Sequence, residues 1–275
     1  MNRGFLVSSV FLLSAVWDVF PSAAHGVNIY DGIRAPEGLY LLTYSSMYHA
    51  EDVRDSNGDI SRDGYGYYSL QEIFRAAWYH RGFVFSALVP VGGVYVDSAG
   101  RGSFGLGDIT AGAGFFLPVA CVDILPMVFV KFPSGEYDSS ETVNYGSGQY
   151  DIRPMVFIFK SAGGFTFDGV VKYYRRFNNS DTGVKPGDEI HLQGVVAYNL
   201  TGTFRAGPSV SLMRGRNREV DGEEQGNTAV EMLSVGGDFY VRAGCVGITF
   251  TWLNDIHSRN MTDGNYYQIK TVLKF

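Results

Sequence analysis

The clearest pattern in the chain lies in residues 161–199, which read SAGGFTFDGVVKYYRRFNNSDTGVKPGDEIHLQGVVAYN. A four-residue turn leads into a run of alternating apolar and polar residues, and a polar loop of ten residues precedes a second such run. Alternation with a period of two is typical of a β-strand with one apolar face. The segment therefore predicts two long antiparallel strands, 165–177 and 188–199, joined by a long loop.

The same pattern extends through the rest of the chain in both directions. Runs rich in aromatic and β-branched residues mark about twelve strands in all. Most are roughly 10–14 residues long, which is enough for a tilted strand to cross a bilayer. The others are 38–49, 67–79, 83–96, 107–117, 122–132, 149–160, 203–214, 230–241, 244–257 and 266–275.

The connections between these strands alternate strictly in length. Every odd-numbered connection is long and polar, whereas every even-numbered one has two to four residues. Bacterial outer-membrane barrels have long loops outside the cell and short turns in the periplasm, and their closure leaves no unpaired edge in lipid. The sequence therefore predicts an all-β fold, a transmembrane antiparallel up-and-down β-barrel of about 12 strands with long extracellular loops and short periplasmic turns. A soluble secreted barrel is the alternative fold.

Composition excludes several other classes of protein. Charged residues make up 18% of the 275 residues, the net charge is −6, and Tyr and Phe number 18 and 20. Negative charge is a poor match for nucleic acid, and abundant aromatic residues argue against disorder. After the first stretch of the chain, no apolar run approaches the ~20 residues of a membrane helix. Cys121 and Cys245 are too few for a disulfide scaffold, so they either pair once or remain free and buried.

Both ends of the chain carry targeting features. Arg3, the apolar run 4–17 and the small residues that follow it predict a cleaved signal peptide over residues 1–24, with an uncleaved anchor as the alternative. The barrel then occupies 25–275, and residues 25–37 form a periplasmic segment long enough to fold back as a partial plug. The last strand ends in Phe275 and resembles the signal by which the barrel-assembly machinery recognises outer-membrane proteins.

Polar faces of the strands point into the predicted lumen, where both signs of charge occur. Two interpretations are open: an ion-pair network that braces the wall, or a polar constriction that contacts solutes. The apolar run 155–159 follows two charged residues, which predicts a polar upper section above an apolar lower one. Asp108 lies among small residues and has room to reach across the lumen. The candidate solute-binding residues are Asp108, Asp151, Arg153, Phe157, Lys172, His191 and Arg205.

Outward-facing aromatic residues are expected to form girdles at the lipid interface. One residue conflicts with the facing pattern, because Glu72 falls on the apolar face of the second strand and requires a bulge or a position at the lip. The girdle candidates are Tyr40, Tyr44, Trp78, Phe85, Phe115, Tyr198, Trp252 and Tyr267.

Signals for chemistry are weak. His191 shares its inward parity with Ser209 and Ser211, the residue types that a barrel lipase needs, but no nucleophile motif surrounds them. Residues 51–59 resemble the start of a calcium loop but lack the closing Glu. We therefore predict a protein that is not an enzyme and has no cofactor or metal site.

Several short segments carry a resemblance to a known family. They are APEGLYLLTY (35–44), GLGDI (105–109), FPSGEYD (132–138), TVNYGSGQYDIRP (142–154), KPGDEIHLQ (185–193), RAGPSVSLM (205–213) and KTVLKF (270–275). In this order they resemble the outer-membrane family named for the meta-pathway of phenol degradation. The resemblance implies a channel for passive uptake of small hydrophobic or aromatic solutes, in contact with outer-membrane lipid. A structural or adhesive barrel without transport and an outer-membrane lipid hydrolase are the alternatives.

Overall fold

The computed structural model describes residues 27–275, so the predicted signal peptide lies outside the described residues. Within them, twelve antiparallel strands each pair with the next along the chain, and the last pairs with the first to close a barrel. This confirms the predicted up-and-down topology. In chain order the strands are β1 (Gly38–Arg54), β2 (Tyr67–His80), β3 (Phe83–Val96), β4 (Thr110–Phe115), β5 (Asp123–Lys131), β6 (Asp151–Ala162), β7 (Phe165–Arg176), β8 (Glu189–Thr201), β9 (Phe204–Gly215), β10 (Glu231–Ala243), β11 (Val246–Arg259) and β12 (Thr262–Lys274).

The predicted strand 107–117 is wrong at its start. A separate strand, Arg101–Leu106, pairs with the upper, extracellular half of β3, and β4 pairs with the lower half. Between them the chain leaves the ladder, and the N–H of Gly107 donates to the carbonyl of Pro90 on β3. The break arises because the next residue bonds to a loop that is distant in sequence, which the local pattern does not show.

Short turns join the strands at the periplasmic end, and long loops join them at the extracellular end. One loop adds the short strand Ile60–Arg62 to β1. Two other loops pair with each other in a small antiparallel sheet built from Val184–Lys185, Glu219–Val220 and Glu223–Glu224. The predicted alternation of loop lengths has one exception at each end. The predicted long loop 258–265 is wrong, because β11 continues to Arg259 and β12 begins at Thr262, so only two residues join them. At the periplasmic end, the connection predicted as 118–121 spans residues 116–122.

The wall has its apolar face outward and its polar face inward, the reverse of a soluble protein. Val171 and Leu192 are 40% and 43% exposed, whereas their neighbours Lys172 and Gln193 are 5% and 6% exposed. An exposed apolar band around a closed barrel matches the hydrocarbon of a membrane. The predicted facing of β7 and β8 is confirmed, and the soluble alternative does not account for so much exposed apolar surface. No helix within residues 27–275 is both long and apolar enough to cross a membrane.

The girdle prediction is wrong for Tyr40 and Tyr44, because both side chains point into the barrel. The hydroxyl of Tyr40 donates to the carbonyl of Pro36 at 2.8 Å, and the hydroxyl of Tyr44 accepts from the Arg75 guanidinium at 3.1 Å. The inward positions of β1 are partly aromatic, so aromatic character alone does not identify the lipid face there. The other six are exposed on the outer face, as predicted: Trp78, Phe85, Phe115, Tyr198, Trp252 and Tyr267.

One prediction about a single position is partly excluded, and one about the cysteines is wrong. The register of β2 runs unbroken through Glu72, which lies opposite Ser45 on β1 and Val91 on β3, so there is no bulge, and a position at the lip stays a prediction. Cys121 and Cys245 are unpaired and exposed, which contradicts both the disulfide and the buried-thiol expectation. Each cysteine lies at a short periplasmic turn, where the side chain has no core to enter.

Candidate functional site

The N-terminal segment, residues 27–37, enters the lumen and is held there by several strands. The N–H of Ile29 donates to the Asp238 carboxylate at 3.1 Å, and the N–H of Gly32 donates to the Asp168 carboxylate at 3.3 Å. These carboxylates lie on β10 and β7, on separate parts of the wall. Ile29 itself is fully buried in an apolar cluster. The segment therefore crosses the barrel interior as a backbone strap.

One ion pair joins this segment to the last strand. The buried ammonium of Lys270 donates to the Asp31 carboxylate at 2.6 Å and to the carbonyl of Ile29 at 3.2 Å. Asp31 also acts electrostatically on Arg75 and Lys172. A single carboxylate of the segment is thus shared by three basic side chains of the wall.

Asp108 fixes the loop 132–150 inside the barrel. Its carboxylate accepts the N–H of Gly135 at 3.0 Å, and the N–H and hydroxyl of Ser147 at 3.0 and 2.5 Å. It also pairs with the Lys131 ammonium at 3.1 Å. The carboxylate therefore ties a loop to its own wall, and the expectation that it reaches across the lumen is wrong. The segments GLGDI, FPSGEYD and NYGSGQ meet at this one side chain.

Tyr145 connects the loop to β2. Its hydroxyl donates to the side-chain oxygen of Gln71 on β2 at 3.2 Å. Burial, together with the nearby Asp108 carboxylate, raises the pKa of Tyr145 to about 12. The phenol consequently stays protonated at neutral pH and remains a hydrogen-bond donor.

A chain of charged side chains follows the wall formed by β5 to β8. Lys131 lies 3.4 Å from the Asp151 carboxylate, which accepts from Arg153 at 2.7 Å. The Arg153 guanidinium stacks on the Tyr174 ring, 4.4 Å from its centroid. The ion-pair interpretation therefore fits these residues, but the pairs run along one wall rather than across the barrel.

His191 belongs to the same wall and is not part of a catalytic set. Its Nε2 lies 2.9 Å from the Glu189 carboxylate, which also binds Arg176 at 2.6 Å. Ser209 donates to Asp238 instead. Among the described residues, the Ser–His pair that a lipid hydrolase needs is absent.

Arg205 lies apart from the other candidates. Its guanidinium is 5.4 Å from the ring centroid of Tyr30 in the N-terminal segment, and it donates to the carbonyl of Gly164 in a periplasmic turn. It therefore contacts the strap at the lower end of the barrel.

A cavity of about 320 Å³ lies between the loop and the N-terminal segment. Its lining has an apolar part, which includes Phe129, Met155 and Phe157, and a charged part contributed by β2, β5, β6 and β7. The two parts adjoin on one wall, because Phe129 pairs with Arg153 and Met155 pairs with Lys172 in the strand register. Five of the seven candidate residues line this cavity, and His191 and Arg205 do not. The five are Asp108, Asp151, Arg153, Phe157 and Lys172.

Sequence reasoning missed several residues of the site. Asp31 and Lys270 are separated by 239 positions, and no local pattern links them. Ser147 lies inside segment 142–154, one of those that carried the family resemblance. That resemblance was the only sequence signal that could have indicated a structural role for Ser147. Arg75 lies at an inward-facing position of its strand, but no sequence motif surrounds it to indicate a role in the site.

The calcium-like loop uses its leading carboxylate internally. Asp55 accepts the N–H groups of Asn57 and Asp59 at 2.7 and 3.1 Å, as in a self-contained turn. Across residues 27–275, no group of three or more His, Cys, Asp or Glu side chains is arranged to hold a metal ion.

Comparisons with known proteins agree with this architecture. The family model described as the MetA-pathway of phenol degradation matches residues 50–271. An outer-membrane channel from Pseudomonas putida F1 is 18% identical, with a TM-score of 0.82 over 90% of this chain and 100% of that chain. The NanC porin is 10% identical, with a TM-score of 0.53 over 86% of this chain and 100% of that chain. The KdgM porin is also 10% identical, with a TM-score of 0.51 over 86% of this chain and 99% of that chain. No curated protein sequence matches significantly.

Proposed function

The chain belongs to the family of the MetA-pathway of phenol degradation, and we propose that it is an outer-membrane channel for passive uptake of small hydrophobic or aromatic compounds. The observation that carries this proposal is the cavity in the lumen, with an apolar side at Phe129, Met155 and Phe157. An apolar cavity of about 150 Å³ is enough to hold benzene, and this one is about 320 Å³. Contact with these apolar side chains favours transfer of an aromatic solute from water into the cavity.

The width of the barrel supports a path for solutes. About eight strands give a barrel that side chains alone can fill, and 16–18 strands give an open aqueous pore. Twelve strands lie between these limits, so the interior holds both a cavity and an inserted segment. We propose that residues 25–37 act as a partial plug, and that a solute passes when this strap shifts from its partners.

The proposed role is transport without catalysis. The adhesive or structural alternative has no specific observation in its favour, because the cavity lies in the lumen rather than in the loops. It remains the outcome if no solute passes.

Uptake of the fluorescent aromatic probe 1-N-phenylnaphthylamine tests the function. Cells with an intact lipopolysaccharide layer exclude this probe, and we expect cells that express the protein to take it up faster. Phe157→Ala widens the apolar side of the cavity and should increase the rate further. Equal rates for empty cells, wild type and Phe157→Ala would favour a structural barrel.

We also propose that the terminal strand is the assembly signal for this barrel. The N–H of Phe275 donates to the carbonyl of Leu39 at 2.9 Å, and its side chain is 69% exposed at the periplasmic end of the barrel. Deleting Phe275 should lower the amount of heat-modifiable barrel in the outer-membrane fraction. Unchanged assembly would count against this role.

A further inference from the structure

The charged side of the cavity carries more positive than negative side chains. Eight charged residues line it, of which three are acidic and five are basic, a difference of 5 − 3 = +2. The basic ones are Arg75, Lys131, Arg153, Lys172 and Arg176.

The acidic side chains of the cavity are already engaged. Asp108 and Asp151 pair with Lys131 at 3.1 and 3.4 Å, and Asp151 also binds Arg153. Asp31 pairs at 2.6 Å with Lys270, which does not line the cavity. The negative charge of these three carboxylates is therefore largely neutralised by lysine and arginine side chains other than Arg75.

Arg75 is bound only by neutral groups. Its Nε donates to the Ser86 hydroxyl at 2.9 Å and its Nη1 to the Tyr44 hydroxyl at 3.1 Å. It forms no ion pair with any residue in the range 27–275. A guanidinium has five N–H donors, so three remain for a ligand. Asp31 acts on this guanidinium only from beyond ion-pair distance and is itself paired with Lys270. Arg75 therefore has no counter-ion of its own, and a bound anion would supply one.

Lys172 adds to the positive potential beside Arg75. The charged groups that act on its ammonium include the cations Arg153 and Arg75 and the shared carboxylate of Asp31. Apolar surface adjoins this region, because Met155 lies opposite Lys172 across the β6–β7 pair and also lines the cavity. The cavity thus joins a cationic end to an apolar body.

We propose that the cavity binds an organic anion, an aromatic ring that carries a carboxylate. The carboxylate binds Arg75 and Lys172, and the ring packs against Phe129, Met155 and Phe157. Arginine and carboxylate match in a bidentate, charge-assisted geometry. This inference rests on the proposed uptake function and narrows its substrate class from small hydrophobic or aromatic compounds to aromatic acids.

Titration calorimetry on the purified barrel in a nonionic detergent tests the charge preference. The probes are benzoate, the neutral analogue benzamide and the cation benzylammonium. We expect benzoate to bind about tenfold or more tightly than benzamide, as charge-assisted bonds imply, and benzylammonium to bind least. Added NaCl should weaken benzoate binding alone. Equal binding of benzoate and benzamide, or a preference for benzylammonium, would overturn the proposal.

Variants locate the anion. Arg75→Gln should weaken benzoate about tenfold and leave benzamide unchanged, and Lys172→Gln should have a smaller effect in the same direction. Arg214→Gln is the matched control, since Arg214 is an exposed arginine at the outer rim that pairs with Glu231. If Arg75→Gln does not give a heat-modifiable barrel, Arg75→Lys replaces it and should bind benzoate with reduced affinity. Unchanged benzoate affinity in the folded Arg75 variant would contradict the site.

The two proposals fail in different ways. If phenylnaphthylamine enters cells through the protein but benzoate shows no preference over benzamide, the anion site is wrong and the channel stands. If the protein neither binds the three probes nor speeds dye uptake, both proposals are wrong.

Discussion

Two stretches of chain occupy the lumen, and they are held in different ways. The loop 132–150 has several of its bonds at one carboxylate, that of Asp108, which binds Gly135, Ser147 and Lys131. Tyr145 adds separate bonds to Ser103 and Gln71. The N-terminal segment instead makes separate bonds to several strands, through backbone N–H groups and through the ion pairs Asp31–Lys270 and Arg34–Asp123. Several bonds at one side chain make Asp108 the main attachment of the loop to the wall. Separate bonds, each worth ~1 kcal/mol net, are compatible with the proposal that the N-terminal segment shifts to let a solute pass.

The sharpest test of this comparison is the loop anchor. Asp108→Ala leaves the Lys131 charge with less compensation and strands the N–H groups of Gly135 and Ser147. We expect the free energy of unfolding to fall by ~3–5 kcal/mol, as for other broken buried pairs, measured by urea titration in micelles. Asp138→Ala, an exposed change in the same loop, is the control and should cost ~0.5 kcal/mol or less. Equal losses in the two variants would mean that Asp108 does not anchor the loop.

Both stretches lie inside only if the facing of the wall is correct. Leu192→Arg places a charge on the lipid face of β8 and should cost ~2–4 kcal/mol near mid-bilayer. Gln193→Arg, one residue further and directed into the lumen, should cost less. The yield of heat-modifiable barrel and its urea midpoint measure both variants. A Gln193→Arg barrel as unstable as Leu192→Arg would reverse the facing.

The wall was predictable because its signal is local. Alternation over β7 and β8 and the alternating loop lengths gave topology and facing without any knowledge of tertiary contacts. The break before β4 was not predictable, because Asp108 bonds to Ser147, 39 positions away. Likewise, the inward turn of Tyr44 depends on Arg75 on the next strand. Five candidate residues line the cavity because parity alone places them there, whereas the role of Asp31 depends on where the strap enters.

The smallest expected change in stability comes from removing one of the separate bonds that hold the N-terminal segment. The side-chain amide of Asn28 donates to the Thr251 hydroxyl at 2.7 Å, and Asn28→Ala removes this one bond of the segment. We expect a stability loss of ~0.5–1.5 kcal/mol and a modest rise in dye uptake. Urea titration and the phenylnaphthylamine assay measure the two effects. A loss of unfolding free energy as large as that of Asp108→Ala would show that the N-terminal segment depends mainly on this one contact.

A covalent lock on the N-terminal segment tests its role as a movable plug. A Cβ atom at Gly32 would lie 3.1 Å from the Cβ of Phe159 and 3.0 Å from the backbone of Ile158. The segment must therefore move outward by a few tenths of an ångström to reach the ~3.5–4.5 Å of a disulfide. The variant Gly32→Cys with Phe159→Cys is made with Cys121→Ser and Cys245→Ser, so that only the new pair can bridge. Each single cysteine variant serves as a control for the effect of the substitutions themselves.

Phenylnaphthylamine uptake is then measured in the same cells under oxidising conditions and after dithiothreitol. If the strap must shift for a solute to pass, oxidation of the double variant stops the protein-dependent uptake and reduction restores it, while the single variants do not respond. Equal uptake in the bridged and reduced states, with the bridge confirmed by mass spectrometry, would contradict a movable plug.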